Sequence, residues 1–453
     1  MLVFFRNNRE IGMTKHYTIR PAMVAATLLC ASASASAGGL LLYEIGTDDV
    51  GLASAGYSAR AQDASTVLTN PAGMSRLEGT QTLVGAQLLY GDLSLSEDHD
   101  PSRPAFHASG GDGGNPIGWF PAGSAFITHN VSDNVTLGMG MAGNFGLSVD
   151  YDKDWAGRYY GQEATLMGIS LLPSASFKVN DKLSLGAGVN AMYGIMEMKT
   201  AVNNVLPAFS DGRMKYKDET WGIGGNLGLM YEFSPATRFG LTYNSQVNLN
   251  FEGRVKFSGI APGLNTVLND RGLQNAKTNI DINVPQGVMA SLFTQVNSDW
   301  AVLGSLGWQD WSKFGMVEMS IDSSAPKSTT TNLDFKDTWH AALGAQYRFK
   351  PDWLLNFGMS YDSAFQKSSE VVTPLLPTNE GWRFGVGVDN QVNKSFSWGV
   401  AGEYIYGGTQ DVHKDSKLPV SGPLGIGGGR GDLNGSYNNE QMFFISANAK
   451  WAF

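Results

Sequence analysis

Along most of the chain the apolar positions recur at every second residue. From Met442 onward, Phe443, Ile445, Ala447, Ala449, Trp451 and Phe453 form one row, while Ser446, Asn448 and Lys450 lie in the other. Over 183–195 the odd positions read Leu, Leu, Ala, Val, Ala, Tyr, Ile, and the even ones Ser, Gly, Gly, Asn, Met, Gly. Over 339–349 Trp, Ala, Leu, Ala, Tyr and Phe alternate with His340, Ala342, Gly344, Gln346 and Arg348. A period of two puts one row on each face of a β-strand. The apolar rows begin and end in aromatics, as with Trp339 against Tyr347 and Phe349, or Phe396 and Trp398 against Tyr404 and Tyr406. Aromatic girdles around an aliphatic band suit strands that cross a bilayer. A soluble β-sandwich would bury such rows as its core, but its strands are usually about 5–6 residues long, shorter than these.

The pattern predicts fourteen strands, near 80–94, 120–129, 135–149, 164–179, 183–198, 220–233 and 238–251, then 287–296, 300–317, 338–349, 353–362, 382–390, 395–406 and 441–453. The connections alternate in length. Short ones carry turn residues such as Asn180-Asp181, Ser234-Pro235 and Lys350-Pro351-Asp352. Long ones, such as 95–119, 252–286 and 407–440, follow the odd strands. Short periplasmic turns and long outer loops mark a closed antiparallel transmembrane β-barrel, and an even strand count puts both barrel ends on the periplasmic side. The terminal aromatic, Phe453, is of the kind read by the barrel-assembly machinery on the C-terminal strand.

Two N-terminal segments fall outside the pattern. Residues 1–37 read as a secretory signal: Lys15 and Arg20 precede a short apolar stretch, and Ala35-Ser36-Ala37 is a cleavage site. Cleavage after Ala35 is a rival, and Met13 is a rival start. The single cysteine, Cys30, lies in this leader, so the mature chain would have no disulfide. Residues 38–79 are rich in Ala, Gly and Ser and are too few for a domain with its own core. A barrel of about fourteen strands has a lumen its own side chains cannot fill. This segment is therefore expected as a hatch of short helices plugging the barrel of 80–453; a periplasmic tail is the alternative.

Composition agrees. Glycine numbers 56, and only 16% of the 453 residues are charged, below the share typical of soluble domains. No 18-residue apolar run follows the leader, which excludes a helical membrane bundle. The net charge of −9 becomes more negative when the leader is removed, so no nucleic-acid partner is expected. Gly138–Gly143 matches a dinucleotide-binding pattern but lies inside a strand. His99 and His107 share a loop, and His340 lies near Asp337 with no nucleophile implied. No metal, cofactor or catalytic set is expected, and the protein is not expected to be an enzyme.

One motif set is more specific. Residues 39–45 (Gly-Leu-Leu-Leu-Tyr-Glu-Ile), Asn70-Pro71-Ala72-Gly73 just before the first strand, Asp154-Trp155-Ala156-Gly157-Arg158-Tyr159, Asp310-Trp311-Ser312 and Phe335-Lys336-Asp337-Thr338-Trp339 resemble the FadL family. These are outer-membrane transporters of long-chain fatty acids and aromatic hydrocarbons. The resemblance covers essentially the whole mature chain and implies a fourteen-stranded barrel with the hatch inside. It implies ligand capture between two outer loops, here with Val205, Leu206 and Phe209 in one and Leu264 and Leu268 in the other. Packing of the loops on each other is a compatible reading. It further implies a sideways exit at a kink in the third strand. Glycine inside a strand often marks a bend, which points to Gly143, Asn144, Phe145 and Gly146. The hatch would gate release, with Gly39, Leu40 and Leu41 moving and Asn70, Pro71 and Ala72 pinning the plug near the opening.

A carboxylate ligand would want a basic partner. Candidates are Arg158, Arg348, Arg383 and Lys450, the last three on inward rows; pairing with a hatch or wall acid is the alternative. The expectation is a monomeric, integral outer-membrane protein, in contact with outer-membrane lipid and lipopolysaccharide, that passes hydrophobic molecules passively. Long-chain fatty acid is the first substrate class and aromatic hydrocarbon the second. A general diffusion porin would lack the plug.

Overall fold

Each predicted two-faced segment forms a strand, and the strands close into one antiparallel barrel. The computed structural model describes residues 41–98, 100–204, 208–314, 316–322, 327–332, 335–417, 419–420 and 429–453. The leader expected at 1–37 lies outside them. The first seven barrel strands are β1 (Thr80–Glu97), β2 (Gly118–Ser132), β3 (Val135–Asp150), β4 (Glu163–Lys178), β5 (Leu183–Val202), β6 (Gly212–Ser234) and β7 (Thr237–Asn244). The second seven are β8 (Gly287–Gln295), β9 (Trp300–Gln309), β10 (Thr338–Lys350), β11 (Trp353–Asp362), β12 (Gly381–Asn393), β13 (Phe396–Lys414) and β14 (Leu433–Ala452). Each pairs with its sequence neighbour, and β14 returns to β1, with Ala452 opposite Gln81.

The alternation sorts side chains between lipid and lumen. Ile223, Leu227, Leu306 and Leu343 stand exposed on the outer face, whereas Met230, Leu303 and Ala342 are buried inside. Aromatic pairs mark both edges of the band. Tyr90–Trp119, Tyr193–Trp221 and Tyr361–Trp382 lie toward the outer loops, and Trp300–Tyr347, Phe349–Trp353 and Phe396–Trp451 lie toward the short turns.

Two strands are shorter than the sequence pattern suggests. β7 stops at Asn244, where the Ser245 hydroxyl accepts a hydrogen bond from Gly225 N–H. The alternation continues through Val247, Leu249 and Phe251, but Val247–Arg254 leaves the wall and pairs with Lys277–Val284. Its buried row packs over Gly194, Gly222 and Gly224, where a Cβ would collide with Val247, Leu249 or Phe251. β9 likewise stops at Gln309. The Asp310 carboxylate accepts from Gln286 and Ser312, and Trp311 turns inward. The next strand, Met316–Asp322, joins Lys277–Val284 instead. A four-stranded sheet therefore stands at the outer mouth, from stretches the alternation had assigned to the wall or to loops. Helix α3 (Pro262–Asp270) lies in the same 245–286 connection.

Residues 41–79 pack inside the barrel, with α1 (Thr47–Gly51), α2 (Thr66–Thr69) and a 3-10 turn at Pro71–Arg76. Their small side chains meet glycines on the inner wall. A Cβ on Gly240 would overlap Ser58 O, one on Gly358 would overlap Leu52 O, and one on Gly385 would overlap Val50 O. Glycine at these positions lets hatch backbone lie directly against wall backbone.

Candidate transport path

The hatch is held by polar contacts at its centre and periplasmic side. Asn70 is fully buried at the N-cap of the 3-10 turn, and Pro71 opens that turn with a fixed φ and no N–H to strand. The Asn70 side chain accepts from Ala72 N–H at 3.0 Å and donates to Ser58 O at 2.7 Å and Leu229 O at 3.1 Å. Ala72 lies against Gly186, and its carbonyl accepts from Ser176 at 3.1 Å. Ser176 pairs with Thr136 at the periplasmic end of β3. Asn70, Pro71 and Ala72 thus contact β4–β6 and not the Gly143–Gly146 segment, beside which the sequence had suggested a pin.

The segment that meets that part of β3 is the start of the described hatch. Leu42 N–H donates to Asn144 O at 3.0 Å, and Leu41 forms an antiparallel bridge with Phe145. Gly39 and Leu40 lie outside the described residues. Asn144 is the extra residue of a bulge in the β3–β4 ladder, whose register shifts between Gly143 and Phe145. The Ser170 hydroxyl donates to its side-chain oxygen at 2.8 Å. On the other side, β3 loses its partner. Pairing with β2 ends at Ser124 opposite Ala142, so beyond it the one barrel strand that residues 143–150 pair with is β4, Asp150 N–H reaching back to Pro116 O at 2.8 Å, and residues 118–123 pair only with β1. Around Gly143 a Cβ would find open space, whereas at most wall glycines it would meet neighbours. Continuing the register would set Pro121 opposite Phe145. Proline belongs at a sheet edge, so Pro121 was the sequence signal for this seam that the alternation did not use.

Within the lumen a cavity of about 70 Å³ reaches from Leu42 and Asn144 across to Asn226, Asn244, Val247 and Met289, with no charged side chain in its lining. Above it a continuous apolar cluster runs from Leu42 and Phe145 through Trp311, Phe314, Phe335 and Phe365 to Val247, Leu249 and Phe251 of the outer sheet. Trp311 stacks on Phe365 with centroids 5.1 Å apart.

The four candidate basic residues have different settings. The Arg383 Nε donates to Asp362 at 2.5 Å, and its guanidinium pairs with Glu44 of the hatch and lies 3.5 Å from Glu403. Lys450 sits among Asp48, Asp63 and Asp389 at 3.0–3.1 Å. These are the pairings with hatch and wall acids weighed as the alternative. Arg348 is exposed at the periplasmic turn and donates to Pro351 O. Arg158, in the outer loop after β3, donates to Asp211 at 2.6 Å and to Ser109 O. Burial works against the Arg158 charge, but Asp211 and Tyr159 outweigh it and hold its pKa above the ordinary guanidinium value. His340 pairs with Asp362 at 2.8 Å, and Asp337 instead accepts from Trp308 and Ser312.

At the mouth, Asn204 ties the two expected groove loops together. It donates to Ser210 O and Gly259 O and accepts from Ala261 N–H. Phe209 and Val267 are exposed, Leu264 is half-buried and Leu268 is buried on α3. Val205 and Leu206 lie outside the described residues. Arg430-Gly431-Asp432 is closed by Arg103, whose guanidinium makes two bonds to Asp432.

A plugged fourteen-stranded barrel with aromatic girdles and a broken seam defines an outer-membrane transport channel. Residues 28–453 match the model of the outer membrane protein transport protein family (OMPP1/FadL/TodX). The chain belongs to this family; it is an integral outer-membrane transport protein and not an enzyme. It is 25% identical over 425 residues to a long-chain fatty acid transport protein of Escherichia coli O6:H1, covering 87% of this chain and 93% of that one. It is 27% identical to outer membrane protein P1 of Haemophilus influenzae, covering 85% and 90%. Among solved structures, a Pseudomonas aeruginosa FadL homologue superposes with a TM-score of 0.80 at 19% identity, covering 92% and 100%. The Ralstonia pickettii toluene transporter TbuX superposes with 0.63 at 18% identity, covering 90% and 98%.

Proposed function

We propose that this protein passes hydrophobic small molecules, long-chain fatty acids first, from the outer-loop groove through the apolar mouth and sideways out of the barrel between β2 and β3. The observation that carries this reading is the unpaired seam beyond Ala142, with the start of the described hatch seated on its bulge. A long acyl chain loses about 0.8 kcal/mol for each methylene taken out of water, so no driving energy is needed for a path that stays greasy into the bilayer. Phe209, Leu264 and Leu268 gather the ligand, as do Val205 and Leu206 on the sequence reading. Gly143 to Gly146 form the exit. Leu41, with Gly39 and Leu40 before it, moves, while Asn70, Pro71 and Ala72 hold the rest of the hatch in place.

A second reading, uptake of aromatic hydrocarbons, has its own support. Arg383 and Lys450 are each surrounded by three carboxylates, and the lumen cavity that reaches Asn144 carries no charge. An uncharged ligand meets no electrostatic penalty there. The test is uptake in a transporter-deleted host expressing this chain, comparing a long-chain fatty acid with toluene. Uptake of the acid supports the first reading and uptake of toluene alone the second. Uptake of neither, with a correctly assembled barrel, rejects both. If the fatty acid is carried, a charge-removing change at Arg158 or Arg383 reports whether either meets the carboxylate.

A further inference from the structure

The outer face of the barrel carries a basic surface, on the strands that lead into the two expected groove loops. Beyond the girdle pair Tyr193–Trp221, β5 and β6 continue outward, and the short strand Lys256–Ser258 pairs with β6 where β7 has left the wall. The register places Lys199 opposite Lys215, and Lys215 opposite Lys256. Three lysines thus stand side by side across three adjacent strands, on the same face as the exposed Trp221 and Ile223. Arg213 lies in the next outward row and Lys217 in the next inward one.

Like charges directly opposite on adjacent strands repel and destabilise the sheet. The carboxylates present offset this only in part. Glu197 is shared by Lys215 at 2.7 Å, Lys199 at 3.5 Å and Lys217 at 3.9 Å. Glu163 pairs with Lys199, and Glu219 lies 3.8 Å from Lys217. Arg213 and Lys256 are exposed and have no ionic partner among the described residues. Five cations stand against four carboxylates, Asp150 opposite Glu163 being the fourth, in a chain whose net charge is −9. The far side of the barrel is different. The outward positions at the matching ends of β1, β13 and β14 are Asp92, Ser94, Ser96, Asp411, Ser436 and Asn438.

Height selects the ligand. Lys217 and Lys215 are four and six residues beyond Trp221. At about 3.3 Å per residue and a tilt of about 45°, this is roughly 9–14 Å above the girdle. Lysine side chains can reach back down several ångströms toward the interface. That is the level of phosphorylated headgroups in the outer leaflet.

We propose that Lys199, Arg213, Lys215, Lys217 and Lys256 form a binding surface for the phosphate groups of the outer-leaflet glycolipid. A dianionic phosphate between Lys215 and Lys256 relieves the lysine repulsion and ties the freed edge of β6 to the surrounding leaflet.

The test uses the full-length protein in detergent with three separate probes: diphosphoryl lipid A, the same glycolipid with its phosphates removed, and phosphatidylglycerol. The double variant Lys215→Glu/Lys256→Glu is expected to bind the diphosphoryl form at least about tenfold more weakly than the original chain, since each surface cation contributes on the order of 1 kcal/mol. Removing the phosphates is expected to bring the original chain down to the level of the variant. Both side chains lie outside the barrel, so the variant should remain heat-modifiable on gels. If it does not assemble, the single changes Lys256→Ala and Arg213→Ala carry the same comparison, each with a smaller loss. Equal binding of the diphosphoryl form by variant and original overturns the proposal. So does phosphatidylglycerol binding the original chain as tightly as the glycolipid.

Discussion

Two seams of one barrel wall are built in opposite ways. All 20 residues of β5 find partners on β6, from Leu183 opposite Tyr231 to Val202 opposite Gly212. β2 has 15 residues, yet its pairing with β3 ends at Ser124 opposite Ala142. The hatch treats them differently too. At the complete seam it is fixed by the Asn70 side chain and by backbone packed on Gly186 and Gly228. At the broken seam it adds its own main chain, Leu42 N–H to Asn144 O, to the free edge of β3. A single backbone hydrogen bond contributes only about 0.5–1.5 kcal/mol net. The start of the described hatch thus lies over a stretch of wall that lacks its ladder, and on the reading proposed above it is the part of the plug that moves.

The contrast can be broken in several places. The largest effect is expected from deleting 38–45: uptake falls to the level of the transporter-deleted host while the barrel stays heat-modifiable. Next is closure of the broken seam. Gly143→Val with Gly146→Val favours a straight, fully paired β3, and uptake is expected to drop severalfold with little change in melting temperature. At the complete seam the balance reverses. Asn70→Ala leaves the Ser58 carbonyl and the Ala72 N–H unmet, a destabilisation of about 1–3 kcal/mol. Thermal unfolding in detergent should show this, together with faster proteolysis of the hatch.

The smallest effect concerns the outer loops. Burial raises the Asp432 pKa, but the two hydrogen bonds from Arg103 outweigh it and hold the carboxyl below its ordinary value. The stabilisation is thus fully present above the ordinary carboxylate pKa and is lost only as pH falls through the lowered one. Proteolysis of the last outer loop should be constant between about pH 5 and pH 7, well above an unperturbed Asp, and should rise only in stronger acid.

These features were unequally visible in the sequence. The fourteen strands follow from alternation, because each barrel strand has one face in lipid and the other against the lumen. The hatch follows from its small residues and from a lumen too wide to fill. Alternation failed at Val247, Leu249 and Phe251, where the same period serves a strand that has left the wall, and at Trp311, which turns inward where β9 would have continued. It cannot report which neighbour a strand has, so the missing β2–β3 ladder was invisible in β3 alone, although Pro121 in β2 marked it. The Arg383 row was legible, but its occupation by Glu44 was not, since that contact joins residues far apart in the chain. The position of Asn70 on β6 was hidden for the same reason.

The central claim is that the described hatch must leave the β3 bulge for a ligand to pass. With no cysteine after Cys30, Leu41→Cys and Phe145→Cys can be introduced as bridge partners, close enough for a disulfide. The account predicts that uptake of a hydrophobic substrate stops when the pair is oxidised and returns on reduction. Undiminished uptake through the oxidised, cross-linked protein would contradict it.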